Sequence, residues 1–177
     1  MDFLHSKLIP IPLGILDYKN KMYLDVLNKP INDNRQIDVF CCHRHYPGRK
    51  QYKKRQRVTR YCLNEWKDII YYKTKLKENN FKKKLIHSKF CICVNGGGLD
   101  PSPRAWQALI CGCVPIMLRS TVSEAYSDFP IIYVDSWNPE CISKEKIKEW
   151  TLKYKVTECH REKLKLDYWF NKINNKK

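Results

Sequence analysis

The segment Asn95-Gly-Gly-Gly-Leu-Asp-Pro-Ser-Pro-Arg-Ala-Trp-Gln107 gathers the residue types that hold an anion. An apolar run ends in Asn95 and glycines, all candidate ligand contacts, and Gly96 and Gly97 let a bulky ligand approach the backbone. A short helix is expected next, capped by Ser102, with Pro103 at its first position and Gly112 just past its end. The amides of Arg104 and Ala105 then have no intrahelical acceptor and sit at the positive end of the helix dipole. Arg104 adds a planar fork of donors suited to phosphate oxygens. Gln107 follows on the same helix face, where it can hydrogen-bond a ribose hydroxyl. Four charge-assisted bonds of roughly 1.5–3 kcal/mol each approach the roughly 8 kcal/mol of micromolar binding. The glycines form neither GxGxxG nor a P-loop, and taken alone they mark only a turn beside a surface arginine.

Further candidates lie at other strand ends. Arg44 and Arg49 fall in the loop after Ile37-Asp-Val-Phe-Cys-Cys42, where they face an anion held beside that strand. The other basic residues up to Arg60 read as a solvated helix face. Glu124 follows Val114-Pro-Ile-Met-Leu118 and either reaches a sugar or starts a helix. His43, His45 and His87 could act as bases, but a lone histidine is more often structural, so no catalytic residue is assigned. Trp137 reads as core packing. The nine cysteines include no Cys-x-x-Cys pair, and no histidine lies at metal-ligand spacing beside them. They read as reduced, mostly buried thiols, with no metal site and no cofactor expected.

These groups need a scaffold. The 177 residues suffice for one domain, and 43% hydrophobic with 12% aromatic residues describes a globular chain. Lys and Arg outnumber Asp and Glu by 34 to 18, a formal charge of +16. The excess is concentrated outside residues 90–143, so it reads mainly as solvated surface around a less basic centre. Strands are expected at 37–42, 68–72, 90–94, 114–118 and 131–134, and helices at 51–66, 103–111, 143–155 and 158–173. Residues 17–36 read as a polar connection, and residues 73–84 as a helix or loop. Phe90-Cys-Ile-Cys-Val94 is apolar on both faces, as in a parallel strand covered on both sides. Alternation of this kind predicts an α/β Rossmann-like domain of about five parallel strands with helices on both faces. The expected organisation is an extended connecting segment over 1–36, the Rossmann-like domain over 37–157, and a C-terminal helix over 158–177 packing on it. The opening, Met1–Leu16, lacks the pattern of a signal peptide, and no apolar run reaches the length of a membrane span, so a cytoplasmic location is expected.

The larger pattern resembles a known family. Ser88-Lys-Phe-Cys-Ile-Cys-Val-Asn-Gly, Ser102-x-Arg104-x-x-Gln107-Ala-Leu, Gly112-Cys-Val-Pro-Ile116, Tyr126-x-Asp128-x-Pro130 and Trp137 resemble the exostosin-like glycosyltransferases. The likeness is strong over 85–137 and weaker over 8–72, where Pro10–Gly14 is similar to that family's interdomain segment and His43–Arg57 to its basic loop. The resemblance implies the donor half of a GT-B fold, metal-independent, binding a UDP- or GDP-linked sugar. It implies that Arg104 binds the donor diphosphate, supported by Ser102. Gln107 stands where the family has a ribose-binding glutamate, and Val94 where it often has proline. Only about 30 residues precede the first donor-domain strand, so by the resemblance a complete transferase needs an acceptor domain from another chain, or this chain is a fragment or a remnant. Two rivals are a non-catalytic nucleotide-sugar-binding protein or remnant, and a basic nucleic-acid-binding module. The latter lacks zinc spacing and an evident recognition helix, so no specific nucleic acid is expected.

Overall fold

The computed structural model describes residues 20–96, 103–121 and 123–174. Five parallel strands form one sheet in the order β2-β1-β3-β4-β5: β1 Ile37–Cys42, β2 Ile70–Lys73, β3 Ser88–Ile92, β4 Val114–Leu118 and β5 Ile132–Val134. This is the expected Rossmann-like α/β arrangement. β1, β3 and β4 occupy its interior and are buried almost throughout, as continuous apolar strands covered on both faces must be.

The helices divide between the two faces. α1 (Asn20–Leu27), α3 (Glu78–Ile86) and α4 (Arg104–Ile110) pack on one another over one face. There the Phe40 ring of β1 meets Phe81 of α3 at 5.6 Å. α2 (Tyr52–Leu63) and α5 (Lys144–Lys153) cover the other, where Phe90 of β3 meets Trp150 at 6.0 Å. The strand pairing Val39↔Phe90 and Phe40↔Cys91 explains the division, because neighbouring residues on one strand point to opposite faces. α6 (Glu158–Glu162) and α7 (Leu166–Asn174) close the chain, and Trp169 of α7 stacks on Trp106 and Phe129.

Pro115 lies in a central strand, where a missing N–H would normally break the ladder. It is tolerated because pairing with β5 starts one residue later, at Ile116↔Ile132. Gly112 closes α4 as expected, with φ +71°. A Cβ there would lie 2.4 Å from Arg35 Nη2 and 2.8 Å from Ile31 Cγ2.

Two expectations are corrected. The polar stretch 17–36 contains α1, because Met22, Tyr23, Val26 and Leu27 form one apolar face and Tyr23 is fully buried. The single closing helix over 158–173 is two helices, separated at Lys163–Lys165. Pro103 has helical dihedrals and its carbonyl accepts the Gln107 N–H at 3.0 Å, so it stands at the first turn of α4 as expected. Ser102, Gly97 and the opening around Leu8–Ile15 lie outside the described residues. No helix among the described residues is long and apolar enough to cross a membrane. All nine cysteines are free; eight are buried and Cys159 is exposed.

Candidate functional site

In this strand order the chain leaves β1 through α2 toward one edge of the sheet and leaves β3 through α4 toward the other. The two loops part beyond the carboxyl ends of adjacent parallel strands. Open α/β sheets hold their ligands in such a crevice. The described parts of both segments singled out for anion binding lie here: the loop after β1 with Arg44 and Arg49, and Asn95 and Gly96 after β3 with Arg104 at the start of α4.

Arg55 joins the two loops. From α2 its guanidinium donates to the Arg44 carbonyl through Nη1 at 2.8 Å. It donates to the Asn95 carbonyl through Nη2 at 3.3 Å and Nε at 3.4 Å. The Tyr46 ring lies 5.3 Å from its Cζ. The side chain is buried, contrary to the expected solvated helix face. Burial, then the charge of Arg104, lowers its pKa from the usual guanidinium value.

Arg104 opens α4 half-buried, with Cζ 5.4 Å from the centre of the Phe81 ring. Its charge bears on Cys42, His43 and Arg55, which fixes it at the crevice. Asn95 is buried at 8% exposure, and among the described residues its Oδ1 has no hydrogen-bond partner. A buried acceptor of this kind carries a cost until something donates to it.

His43 ties β1 to α2. Its Nε2 lies 3.0 Å from the Arg55 carbonyl and 2.9 Å from Thr59 Oγ1. A carbonyl only accepts, so the network assigns the proton to Nε2. Burial first, then the Arg104 charge, pushes the His43 pKa down to about 3. At neutral pH it is therefore an uncharged strut. His45 is half-buried, with Nε2 2.8 Å from Thr59 Oγ1, and Thr59 in turn lies 2.9 Å from the Tyr72 hydroxyl. His87 is exposed just before β3, at the amino end of the sheet, with Nδ1 3.3 Å from Asn32 Nδ2.

Gln107 is 3% exposed, and its amide donates to Glu78 Oε1 at 3.1 Å. The same oxygen accepts the Tyr23 hydroxyl at 2.9 Å. A carboxylate on α3 thus sits within one hydrogen bond of residue 107. Arg44 and Arg49 are exposed on the loop after β1, and Gly96 is half-buried beyond β3. Glu124 is exposed in the 3₁₀ turn Ser123–Tyr126 after β4, at the same edge of the sheet but one strand further on. Trp137 is buried.

The sequence reading missed two members of this group. Arg55 could have been found, since it precedes Val58 and Cys62 at three- and seven-residue spacing on the apolar stripe of α2. Glu78 left no such signal, because its partners stand 29 and 55 residues away.

Among the described residues no group of three or more His, Cys, Asp or Glu is arranged to hold a metal ion. A groove of about 720 Å³ lies elsewhere, between α5 and strands β1 and β2. Its walls are Ile37, Val39, Ile70 and Ile147, and its charges include the surface pair Lys89–Asp38. Its other charged residues, Lys67, Asp68, Lys144 and Lys148, are exposed side chains at the surface, so it is a weaker candidate than the crevice.

No family model matches the chain. The chain is 30% identical over 80 residues to a probable glycosyltransferase of Arabidopsis thaliana, a match covering 43% of this chain and 17% of that protein. The chain thus spans well under two thirds of the relative's length, and over the matched residues it is similar to a probable glycosyltransferase.

Proposed function

We propose that this chain is the donor-binding domain of an exostosin-like glycosyltransferase of GT-B type, holding a UDP- or GDP-linked sugar with its diphosphate in the β1/β3 crevice. The observation that supports this most is the convergence of Arg104, Arg55 and the unpartnered Asn95 Oδ1 at the switch point of a parallel sheet. The similarity to a probable glycosyltransferase supports the same class of chemistry.

In glycosyl transfer an acceptor hydroxyl bonds to the anomeric carbon while the bond from that carbon to the diphosphate oxygen breaks. Negative charge then grows on the departing diphosphate. Cations preorganised in a water-poor crevice stabilise that charge more than bulk water does. Arg104 is the group placed for this, with Arg44 and Arg49 able to close over the diphosphate from the opposite loop. Asn95 Oδ1 requires a donor, which a sugar or ribose hydroxyl supplies. Such a reaction needs no metal ion from this domain. The acceptor and the base that deprotonates it belong to a separate domain.

Binding without transfer is a second reading, favoured by one observation. Residue 107 carries an amide committed to Glu78, where the resembled family has a carboxylate. A thermal-shift panel of UDP, GDP and their sugars tests the proposal. At a hundredfold excess over Kd the stabilisation is about 2.7 kcal/mol, and Arg104→Ala cuts it to about 0.4–1.4 kcal/mol. Equal shifts in wild type and variant contradict the assignment. Release of free sugar from the stabilising donor separates transfer chemistry from binding alone.

A further inference from the structure

We infer that Arg55 is a positioning residue of this crevice: one guanidinium fastens the loop after β1 to the loop after β3 and turns their amides toward the ligand. The inference rests on the donor-binding reading and adds to it a residue that need not touch the ligand.

Two carbonyls, one from each loop, converge on one side chain. Arg44 O receives Nη1 at 2.8 Å, while Asn95 O receives Nη2 and Nε at 3.3 and 3.4 Å. The guanidinium is planar and its donors stand at fixed angles, so holding both carbonyls fixes the separation of the loops. A lysine ammonium is a point donor on a flexible stem and cannot impose that spacing.

The fork also orients the peptides. In a trans peptide the carbonyl of one residue and the N–H of the next point in opposite directions. With Asn95 O turned to Arg55, the Gly96 N–H points away from it; with Arg44 O turned to Arg55, so does the His45 N–H. Arg55 belongs to α2, on one face of the sheet, and Arg104 to α4, on the other. The carbonyl ends, which would repel phosphate, are withdrawn, and the amide ends are left for an anion lying between the two faces. The cation that withdraws them also adds to the positive field.

The position is demanding. Arg55 is 5% exposed, its charge is opposed by Arg104, and among the described residues its partners are backbone carbonyls and Tyr46. Among the described residues no carboxylate pairs with this charge, and such a cation is a costly way to fasten two loops if fastening were all it did. Asn95 points the same way, since the residue whose carbonyl Arg55 holds also carries the unpartnered buried Oδ1.

The test uses UDP, GDP and inorganic pyrophosphate as probes, with Arg55→Lys and Arg55→Gln beside wild type. Affinity is measured by calorimetry at a temperature where each variant is folded by circular dichroism. Arg55→Lys keeps the charge and loses the fork, so a positioning role predicts at least tenfold weaker binding with the salt dependence of the wild type retained. A purely electrostatic role predicts near-wild-type affinity for Arg55→Lys and loss only in Arg55→Gln, and that result overturns the inference. Should the variants not fold, hydrogen exchange on the wild type decides. UDP or GDP must protect the His45 and Gly96 amides together, and protection of one loop alone overturns the clasp. Absence of binding by the wild type to every probe overturns the donor reading and the clasp with it. Tight binding that Arg55→Lys leaves within twofold overturns the clasp alone.

Discussion

Two pairs of arginines flank this sheet, one at each end, and their surroundings differ. Arg35 and Arg161 occupy the amino end. Arg161 is 2% exposed and donates to both oxygens of Glu158 at 3.0 Å, to the Lys29 carbonyl at 2.7 Å, and to the Val26 carbonyl. Arg35 holds the carbonyls of Leu85, Ser88 and Cys111, and Asp33 is among the charges acting on it. Arg55 and Arg104 occupy the carboxyl end. The charged or ionisable groups acting on Arg55 are Arg104 and the Tyr46 hydroxyl. Both pairs bear desolvation and mutual repulsion. The first has carboxylates close at hand, whereas among the described residues Arg55 has two backbone carbonyls and Tyr46. A buried cation with its counter-charge supplied by the fold is structural. One whose counter-charge is not supplied is suited to an anion from outside.

That contrast can be broken by substitution. Arg161→Met should produce the largest loss, about 3–5 kcal/mol of stability, because it strips the carbonyls of Val26 and Lys29 of their donor. Urea denaturation measures it, and nucleoside diphosphate affinity should be unchanged in the folded variant. A loss below about 1 kcal/mol would remove Arg161 from the structural class. Gly112→Ala should cost about 2–3 kcal/mol, since the left-handed backbone and the approach of Arg35 Nη2 both exclude a methyl group. Thermal unfolding checks this, and a neutral result would show that Arg35 moves aside freely.

At the carboxyl end the expected effects on stability are smaller and depend on pH. The folded-state pKa of His43, about 3, lies below the unfolded value near 6.5. Between those values the unfolded chain binds the extra proton, so the stability that neutral His43 contributes is lost as pH falls through that window. From pH 6.5 to 5 the loss should be about 2 kcal/mol. His160, whose pKa is also lowered, adds to the same trend. The difference between wild type and His43→Gln isolates the His43 share, and identical slopes for the two would refute the buried, neutral state.

Residues that act through neighbours in sequence were legible before the structure. β1, β3 and β4 stand out as apolar runs, and Gly112 closes α4 because only a residue at ease with positive φ fits there. The turn from Asn95 toward Arg104 could be read as an anion site because glycine, proline and arginine each have a local reason to be there. What stayed hidden depends on contacts across the fold. Arg55 was grouped with seven other basic residues between 43 and 60, and only its carbonyl partners on two loops set it apart. α1 was obscured by polar neighbours, since its apolar face matters only once α4 lies beneath it. Gln107 was expected to face a ribose, and the proximity of the Glu78 carboxylate depends on how α3 meets α4.

The central claim is that the carboxyl end of the sheet holds the diphosphate of a nucleoside diphosphate. Titration calorimetry of UDP and GDP into wild type, Arg104→Ala and Arg161→Lys tests it directly. One of the two nucleotides should bind wild type and Arg161→Lys alike in the micromolar range. Arg104→Ala should weaken that binding about tenfold to a hundredfold while changing the unfolding free energy little, as loss of one or two charge-assisted bonds requires. Binding that is absent from wild type, or indifferent to Arg104 and sensitive to Arg161, would contradict the account.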